Sequence, residues 1–435
     1  MIHAYRGSVL HFHDDPAFAG ETAHSWHADG LLIVEDGRVR AAGDYAQLAA
    51  TLPPDAQVTD HSGKLILPGF IDTHVHYPQT DMIASPAPGL LPWLETYTFP
   101  TESRFRDPEH AGEVARFFLD ELARSGTTTA MVYCTVHPES VDAFFAESSA
   151  RNLRMVAGKV LMDRNCPDFL RDTAESGARD SEALIGRWHG RGRQMYALTP
   201  RFAPTSTEEQ LGLTGELARA YPDTFIQSHV AENTDEIAWV KSLYPSARSY
   251  LDVYDRYGLL RERAMYAHCI YLDETDRARM AETGAAAALC PTSNLFLGSG
   301  LFDFAAADAV KMPLSMATDV GGGTSFSMLK TMNELYKVAR MGGTYLPALR
   351  MFYLATLGGA RSMGLEGVIG SFAPGAEADF VVINPQATEM LARRSARAES
   401  LEEQLFALAL LGDDRAVAAT YSAGKLQYFS SKTAT

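Results

Sequence analysis

The chain is poor in cysteine and in basic residues. Four of its 435 residues are cysteine, and none of them belongs to a Cys-x-x-Cys pair. So few thiols in a long chain do not make a disulfide framework, and this usage favours a reducing cytoplasm. Lysine and arginine number 38 against 54 aspartates and glutamates, which gives a net charge of −16. Because phosphate backbones and anionic lipid surfaces are bound by clustered cations, we expect neither a nucleic acid nor a membrane as partner.

Long hydrophobic runs are missing as well. No uncharged apolar stretch reaches the roughly 18 residues that a membrane-spanning helix needs. Residues 1–10 lack the charged and then apolar pattern of a secretion signal, so we expect no leader peptide. With 46% hydrophobic and 21% charged residues, the composition excludes a disordered, collagenous or coiled-coil chain.

Short apolar runs and helical patterns alternate in the central part of the chain. Eight strands separated by helices predict a (β/α)8 TIM barrel rather than an open sheet. The predicted strands are 65–72, 128–133, 155–161, 195–198, 225–228, 264–267, 285–289 and 314–318. The predicted helices are 108–125, 139–152, 181–191, 207–220, 235–243, 274–283 and 301–310.

The two ends of the chain have a different pattern. Residues 1–64 contain short strand-like runs with turn signals, such as Asp36-Gly37, and residues 378–384 form a further apolar run. We therefore expect an α/β fold, a distorted (β/α)8 barrel with a small β-sandwich domain formed by both termini. The predicted boundaries are 1–67 and 366–435 for the two parts of the sandwich and 68–365 for the barrel.

Two histidines two positions apart give the strongest local signal. His74 and His76 lie in the run Phe-Ile-Asp-Thr-His-Val-His at the end of the first predicted barrel strand. On a strand, residues i and i+2 face the same way, so both imidazoles point into one space and can chelate a metal ion. A bare His-x-His pair is common on surfaces and in cores, and what else lies nearby decides its meaning.

Further candidate ligands follow later strands. His229 and His268 come at the ends of the fifth and sixth strands, and Asp319 follows the eighth. That end of a barrel is where barrel enzymes place their chemistry, so the positions predict a metal site. Three neutral imidazoles and a carboxylate suit Zn²⁺, which lowers the pKa of a bound water to about 7. Glu232, three residues after His229, is either a proton carrier or an exposed acid at a helix start.

With these motifs the sequence resembles the amidohydrolase superfamily and, within it, the guanine deaminases. The superfamily motifs are Pro-Gly-Phe-Ile-Asp-Thr-His-Val-His (68–76), His-Val-Ala-Glu (229–232), His268 and Asp319. The narrower motifs lie at 91–100 (LPWLETYTFP), 158–163 (GKVLMD), 199–204 (TPRFAP), 227–233 (QSHVAEN), 290–294 (CPTSN) and 354–359 (LATLGG). They cover most of the chain in the family's order. Cys269-Ile270 and Leu289 depart from the family's pattern, but neither replaces a matched ligand.

The resemblance implies a role for each matching residue. His74, His76, His229 and Asp319 would bind one zinc ion per chain. His268 and Asp319 would orient the attacking water, and Glu232 would move protons. Gln79, Arg201 and Phe202 would hold guanine. The implied reaction is hydrolysis of guanine to xanthine and ammonia by a cytoplasmic enzyme that is a homodimer.

Several alternatives stay open at this stage. The substrate could be a related ring, such as 8-oxoguanine, another aminopurine or a triazine, or the barrel could be an inactive binding protein. Guanine presents two neighbouring acceptors, O6 and N7, that the donors of Arg201 match, whereas adenine presents a donor at position 6. Arg201 could instead pair with a barrel carboxylate, Phe202 could be a core aromatic, and Gln79 could bond His76. The segment 93–99 could form a lid or a packed connection, and Lys159 could serve a two-metal site, against which its mid-strand position argues.

Overall fold

The computed structural model describes residues 2–431, whose strands form two sheets. The strands are β1 Ile2–Phe12, β2 His24–Glu35, β3 Arg38–Asp44, β4 Gln57–Pro68, β5 Phe70–His76, β6 Thr127–Tyr133, β7 Arg154–Gly158, β8 Val160–Leu161, β9 Gln194–Pro200, β10 Phe225–Val230, β11 Ala264–His268, β12 Ala286–Leu289, β13 Leu314–Met316, β14 Phe380–Ile383, β15 Val417–Ser422 and β16 Lys425–Phe429.

Helices connect most of these strands. The α-helices are α1 Pro16–Ala19, α2 Tyr45–Leu48, α3 Leu90–Trp93, α4 Phe99–Glu102, α5 Pro108–Arg124, α6 Pro138–Ala150, α7 Ala174–Trp188, α8 Glu208–Ala220, α9 Thr234–Leu243, α10 Tyr250–Asp255, α11 Glu274–Thr283, α12 Pro291–Phe296, α13 Phe304–Ala309, α14 Met328–Met341, α15 Ala348–Leu354, α16 Leu357–Ser362, α17 Glu389–Ser395 and α18 Leu401–Leu411. A π-helical turn, Leu94–Thr98, joins α3 to α4. Among residues 2–431, no helix combines the length and the apolar character needed to cross a bilayer.

The larger sheet is a parallel barrel. Its strands follow the order β5-β6-β7-β9-β10-β11-β12-β13, and the short β8 pairs with β9. The first and last strands meet through backbone hydrogen bonds just beyond β13: Asp319 N donates to His74 O at 2.9 Å, and His76 N donates to Val320 O at 2.7 Å. The predicted (β/α)8 fold is therefore confirmed.

Apolar side chains cover both faces of the barrel strands, toward the barrel interior on one face and toward the surrounding helices on the other. Along β6, Met131 belongs to a cluster that takes one or two residues from most barrel strands, among them Ile71 and Phe225. Its neighbours Ala130 and Val132 belong instead to the larger core that includes the surrounding helices. Strands buried on both faces read as continuous apolar runs, which explains why the barrel strands were recognisable in the sequence.

The smaller sheet unites both ends of the chain, in the order β16-β15-β14-β4-β1-β2-β3. Its core includes Phe380 and Tyr421, whose rings stack with centroids 4.4 Å apart. A buried ion cluster ties it to the barrel, because Arg193 pairs with both Glu377 and Asp379. The expected β-domain formed by both termini is confirmed. Its predicted boundaries stay predictions, and residues 1 and 432–435 of those ranges lie outside the described part of the chain.

Two predicted strands each span two strands of the structure. Residues 155–161 cover β7 and β8, which Lys159 separates. Residues 65–72 belong to two strands, β4 of the terminal sheet and β5 of the barrel, which Gly69 separates. A Cβ at Gly69 would lie 2.1 Å from the Thr128 hydroxyl, so the chain passes between the sheets where only glycine fits. The prediction failed because both strands are buried and their apolar pattern runs on without a break.

The helix predictions placed the start of α7 wrongly and omitted several helices, among them α10 and α12. Helix α7 begins at Ala174 rather than at 181, since Thr173 Oγ1 accepts from Ser176 N at 3.0 Å and Ser176 Oγ accepts from Thr173 N at 2.9 Å. Helices α14 to α18 were not predicted, and α17 and α18 lie within the stretch 366–435 that we expected to be β-structure.

Candidate active site at the barrel mouth

The candidate ligands meet at the C-terminal ends of the barrel strands. His74 and His76 end β5, His229 lies on β10, His268 ends β11, and Asp319 follows β13. All are buried except His229, which is partly buried. The structure therefore brings together the five side chains that the sequence analysis placed after four different strands.

The metal-binding atoms of four of these side chains, three imidazole nitrogens and one carboxylate oxygen, lie close to one another. The Nε2 atom of His76 lies 3.2 Å from that of His74 and 3.3 Å from that of His229, and His74 Nε2 lies 3.1 Å from Asp319 Oδ1. The four donor atoms all lie within 4.8 Å of one another. Three imidazole nitrogens and one carboxylate oxygen are a donor set that suits a zinc ion. These four residues could hold one metal ion.

The state of the imidazoles agrees with ligation. Burial and the neighbouring histidines lower the pKa of His76 and that of His229 well below the usual range, so both rings are neutral at neutral pH. The Nδ1 atom of His229 donates to the backbone oxygen of Arg201 at 2.6 Å, which leaves its Nε2 lone pair facing the cluster.

A second group of possible ligands shares this region: His74, His268, Cys290 and Asp319. Burial raises the pKa of the Cys290 thiol well above the usual range, and its Sγ donates to Ala288 O at 3.4 Å. Because this thiol already bonds the backbone, the group with three histidines and Asp319 fits an ion better.

Asp72 is a site residue that the sequence analysis did not single out. Its Oδ1 accepts from Thr318 N at 3.0 Å and from His74 N at 3.3 Å, and its Oδ2 accepts from the Thr318 hydroxyl. It therefore fastens the strand of His74 to the residue that precedes Asp319. Its position two residues before His74, on the same face of β5, is the signal that could have revealed it.

Glu232 and His268 form a separate pair beside the ligands. Glu232 Oε2 lies 3.3 Å from His268 Nε2, and Glu232 Oε1 accepts from Ser299 Oγ at 2.8 Å. His268 Nδ1 lies 2.8 Å from Asn294 Oδ1, to which it donates, so its Nε2 is directed at Glu232. Burial raises the pKa of Glu232, although the charge of the His268 ring acts in the opposite direction and lowers it. A carboxyl with a raised pKa inside a cavity is suited to exchange protons at neutral pH.

The backbone is strained at two of these positions. His268 has φ 70° and Asp319 has φ 51°, in the left-handed region that residues other than glycine rarely adopt. Each such conformation costs about 1–3 kcal/mol and persists only where the surroundings enforce it. Such residues cluster at functional sites, and here they direct two polar side chains inward.

His76, His229 and Asp319 of the cluster line a cavity of about 430 Å³, a volume that includes space open to solvent. Helix α3 and the π-helical turn after it cover one side, where Leu90, Trp93 and Leu94 line the wall. Within the segment 93–99, Trp93 and Leu94 are thus part of the cavity wall. The other lining residues are His76, Gln79, Arg201, Phe202, His229, Glu232, Glu236, His268, Ser293, Leu297, Asp319 and Gly322.

Gln79, Arg201 and Phe202 all belong to the residues that line the cavity. Arg201 Nη1 donates to both oxygens of the buried Glu102 carboxylate, at 2.8 and 3.0 Å. This is the pairing with a carboxylate that was one of the alternatives for Arg201. Gln79 Nε2 also donates to Glu102, at 3.0 Å, and does not bond His76. Phe202 packs edge-on against Trp239 with centroids 6.2 Å apart.

Lys159 lies away from the cavity wall. Its ammonium pairs with Asp172 and donates to Val160 O at 3.3 Å. The predicted mid-strand position of Lys159 is wrong, because it lies between β7 and β8, and its ion pair with Asp172 is what argues against a two-metal site that uses this lysine.

Comparison with known proteins gives one consistent result. The model of the amidohydrolase family matches residues 65–426. The guanine deaminase of Escherichia coli is 52% identical over 400 residues, 92% of this chain and 91% of that protein. The crystal structure of guanine deaminase from Bradyrhizobium japonicum superposes with a TM-score of 0.96 at 36% identity and covers 99% of this chain and 100% of that one. Guanine deaminase from C. acetobutylicum with guanine bound in its active site superposes with a TM-score of 0.87 at 27% identity, over 98% and 100% of the two chains.

Proposed function

Because the chain belongs to the amidohydrolase family, we propose that it hydrolyses guanine to xanthine and ammonia. One observation carries this conclusion: in a chain 52% identical to a guanine deaminase, the side chains that we propose as metal ligands, proton carrier and base-binding donors meet at the barrel mouth. The intact set argues against the inactive binding protein.

The cofactor in this proposal is one Zn²⁺ per chain, held by His74, His76, His229 and Asp319. An ion of this kind supplies a water whose pKa is lowered to about 7, and so a nucleophile at neutral pH. The convergence of the three Nε2 atoms and Asp319 Oδ1 supports it.

Glu232 carries the protons of the reaction. It gives its proton to N3, the unprotonated ring nitrogen beside C2, and takes one from the water that attacks C2. It passes that proton to the amine, which leaves as ammonia, and recovers a proton from the oxygen on C2 as the carbonyl of xanthine forms. His268 Nε2 faces the same space, because Asn294 holds the opposite ring nitrogen. The nearby carboxylates of Glu232 and Asp319 act against burial and raise the pKa of His268, which favours the protonated ring. In that form Nε2 carries a hydrogen that can stabilise negative charge on the oxygen that adds to C2.

Arg201 and Gln79 bind the opposite edge of the base, at O6 and N7. Both line the cavity and both offer N–H groups there. Phe202 lies beside Arg201 on the same wall and contacts the face of the ring. The donors complement guanine and oppose the amino group of adenine.

The deciding experiment is an ultraviolet assay of guanine loss with purified, zinc-loaded protein, together with an ammonia assay. We expect equal amounts of xanthine and ammonia, and loss of turnover after zinc is removed with a chelator. A panel of 8-oxoguanine, 2,6-diaminopurine and a triazine tests the related rings. Folded, zinc-loaded protein that leaves guanine intact would overturn the proposal.

A cytoplasmic location and a homodimer belong to the same proposal. The four cysteines are unpaired, which suits a reducing compartment. The dimer rests on the resemblance to the family, and light scattering of the purified protein measures it directly.

Guanine should be turned over at least about 10³-fold more efficiently than 2,6-diaminopurine, because this base keeps the amine at C2 but presents a donor in place of O6 to the donors of Arg201. Arg201→Ala should remove most of this preference while the zinc content stays unchanged. Arg201→Lys should not restore it, since an ammonium lacks the planar fork. The measurement is kcat/KM for both bases in each variant, with Arg116→Ala, on the exposed face of α5, as the control. Equal losses for guanine and 2,6-diaminopurine would show that Arg201 supports the fold only.

A further inference from the structure

Glu102 is the partner that the two base-binding side chains share. It ends α4, its side chain is 1% exposed, and it is not among the residues that line the cavity. One of its oxygens accepts from both Arg201 Nη1 and Gln79 Nε2, at 3.0 Å each, and the other accepts from Arg201 at 2.8 Å. The carboxylate therefore lies behind the cavity wall and holds both side chains.

These contacts decide what Arg201 and Gln79 present to a ligand. The hydrogen bonds that the structure gives the Arg201 side chain within residues 2–431 use Nη1, which leaves the donors on Nε and Nη2. The oxygen of the Gln79 amide accepts from Gly321 N at 3.3 Å, while its nitrogen donates to Glu102. Gln79 then has one N–H left for the cavity, and its oxygen is turned toward Gly321 N. Both side chains thus have N–H donors that Glu102 does not use.

Glu102 also balances the charge of the wall. Arg201 is 3% exposed, and an isolated cation so deeply buried would be costly. The adjacent carboxylate cancels this charge, so that a ligand meets oriented dipoles rather than a net cation. Such a wall favours a neutral ring with two adjacent acceptors and gives no extra attraction to an anionic ring.

We propose that Glu102 is the positioning residue that sets the specificity of the cavity for neutral bases. It fixes Arg201 and Gln79 as a pair of donors, and it removes the positive charge that would otherwise attract anionic purines. This inference rests on the proposed function, because it assumes that a purine binds this wall.

The test compares a neutral and an anionic purine as ligands of the zinc-loaded protein. Hypoxanthine keeps O6 and N7 but lacks the 2-amino group, and urate is an anion at neutral pH. Isothermal titration calorimetry gives both dissociation constants without any need for turnover. In Glu102→Gln the affinity for urate relative to hypoxanthine should rise at least about 10-fold over the wild type, because an unbalanced charge acts at short range in a poorly screened site.

Glu102→Asp separates charge from position. The shorter carboxylate keeps the charge but cannot reach both partners, so the urate-to-hypoxanthine ratio should stay within about threefold of the wild type while kcat/KM for guanine falls about 10-fold or more. Glu95→Gln, an exposed residue of the same helical segment, is the matched control and should change neither quantity.

Either of two results would overturn the inference. One is an unchanged ratio in Glu102→Gln with normal zinc content and circular dichroism. The other is a Glu102→Asp variant whose urate-to-hypoxanthine affinity ratio rises at least about 10-fold over the wild type, a result that can be read even if Glu102→Gln fails to fold. A wild type that binds hypoxanthine but does not turn over guanine would contradict the proposed function and leave this test intact.

Discussion

Glu232→Gln is expected to lower kcat for guanine by about 10²–10⁴-fold, the usual contribution of a general acid and base. The amide keeps the shape of the side chain and can still accept from Ser299 Oγ, which lies 2.8 Å from the carboxylate. It cannot take up or release a proton. Zinc content and hypoxanthine binding should therefore stay near wild type while turnover collapses. Single-turnover kinetics with the zinc-loaded variant measure the effect.

Ser299→Ala is the matched control for this substitution. It removes one hydrogen bond from Glu232 but leaves the carboxyl group in place, so we expect a loss of about 10-fold or less in kcat. Near-normal turnover in Glu232→Gln would exclude Glu232 as the proton carrier. Loss of zinc in that variant would instead place Glu232 among the ligands.

His74→Ala should lose both the metal ion and the activity. His74 Nε2 is within 3.2 Å of His76 Nε2 and of Asp319 Oδ1, so its removal takes away a central member of the donor set. Since a zinc site with three histidines depends on each of them, we expect turnover to fall at least about 10⁴-fold. Mass spectrometry for metals on dialysed protein gives the zinc content, and the guanine assay gives the activity.

His13→Ala controls for the loss of a histidine as such. His13 is exposed, and its ring bonds Ser25 in the terminal sheet. This variant should keep about one zinc per chain and full activity. A His74→Ala protein with full zinc content would remove His74 from the ligand set.

The fold followed from the sequence wherever burial left a clear pattern. The barrel strands are short apolar runs separated by helices, and helix α11 has the predicted bounds, 274–283. The pattern fails where two buried strands follow one another, as at Gly69. It also fails for α18, whose apolar residues lie all around the helix instead of along one stripe. Only the tertiary contacts distinguish these cases.

The residues of the candidate site also divide into those that could be predicted from the sequence and those that could not. His74 and His76 could be found because their spacing on a strand has a geometric meaning, and His229, His268 and Asp319 because they follow strands of one barrel. Glu102 and Ser299 could not, because their roles depend on side chains far away in the sequence. Glu102 reads as an ordinary helix acid until Arg201, which lies 99 residues further along, is seen to donate to it.

The hydrogen bonds that close the barrel lie beside the proposed metal ligands, so the thermal stability of the protein should depend on its metal content. The backbones of His74 and Asp319 bond each other at the junction of the first and last strands, and their side chains belong to the same proposed donor set. An ion bound by both side chains would therefore hold the first and last strands of the barrel together. By mass action, a ligand at 100 times its dissociation constant adds about 2.7 kcal/mol to the free energy of unfolding. The melting temperature should then rise with free zinc concentration, so that a thermal scan reads metal occupancy without any substrate.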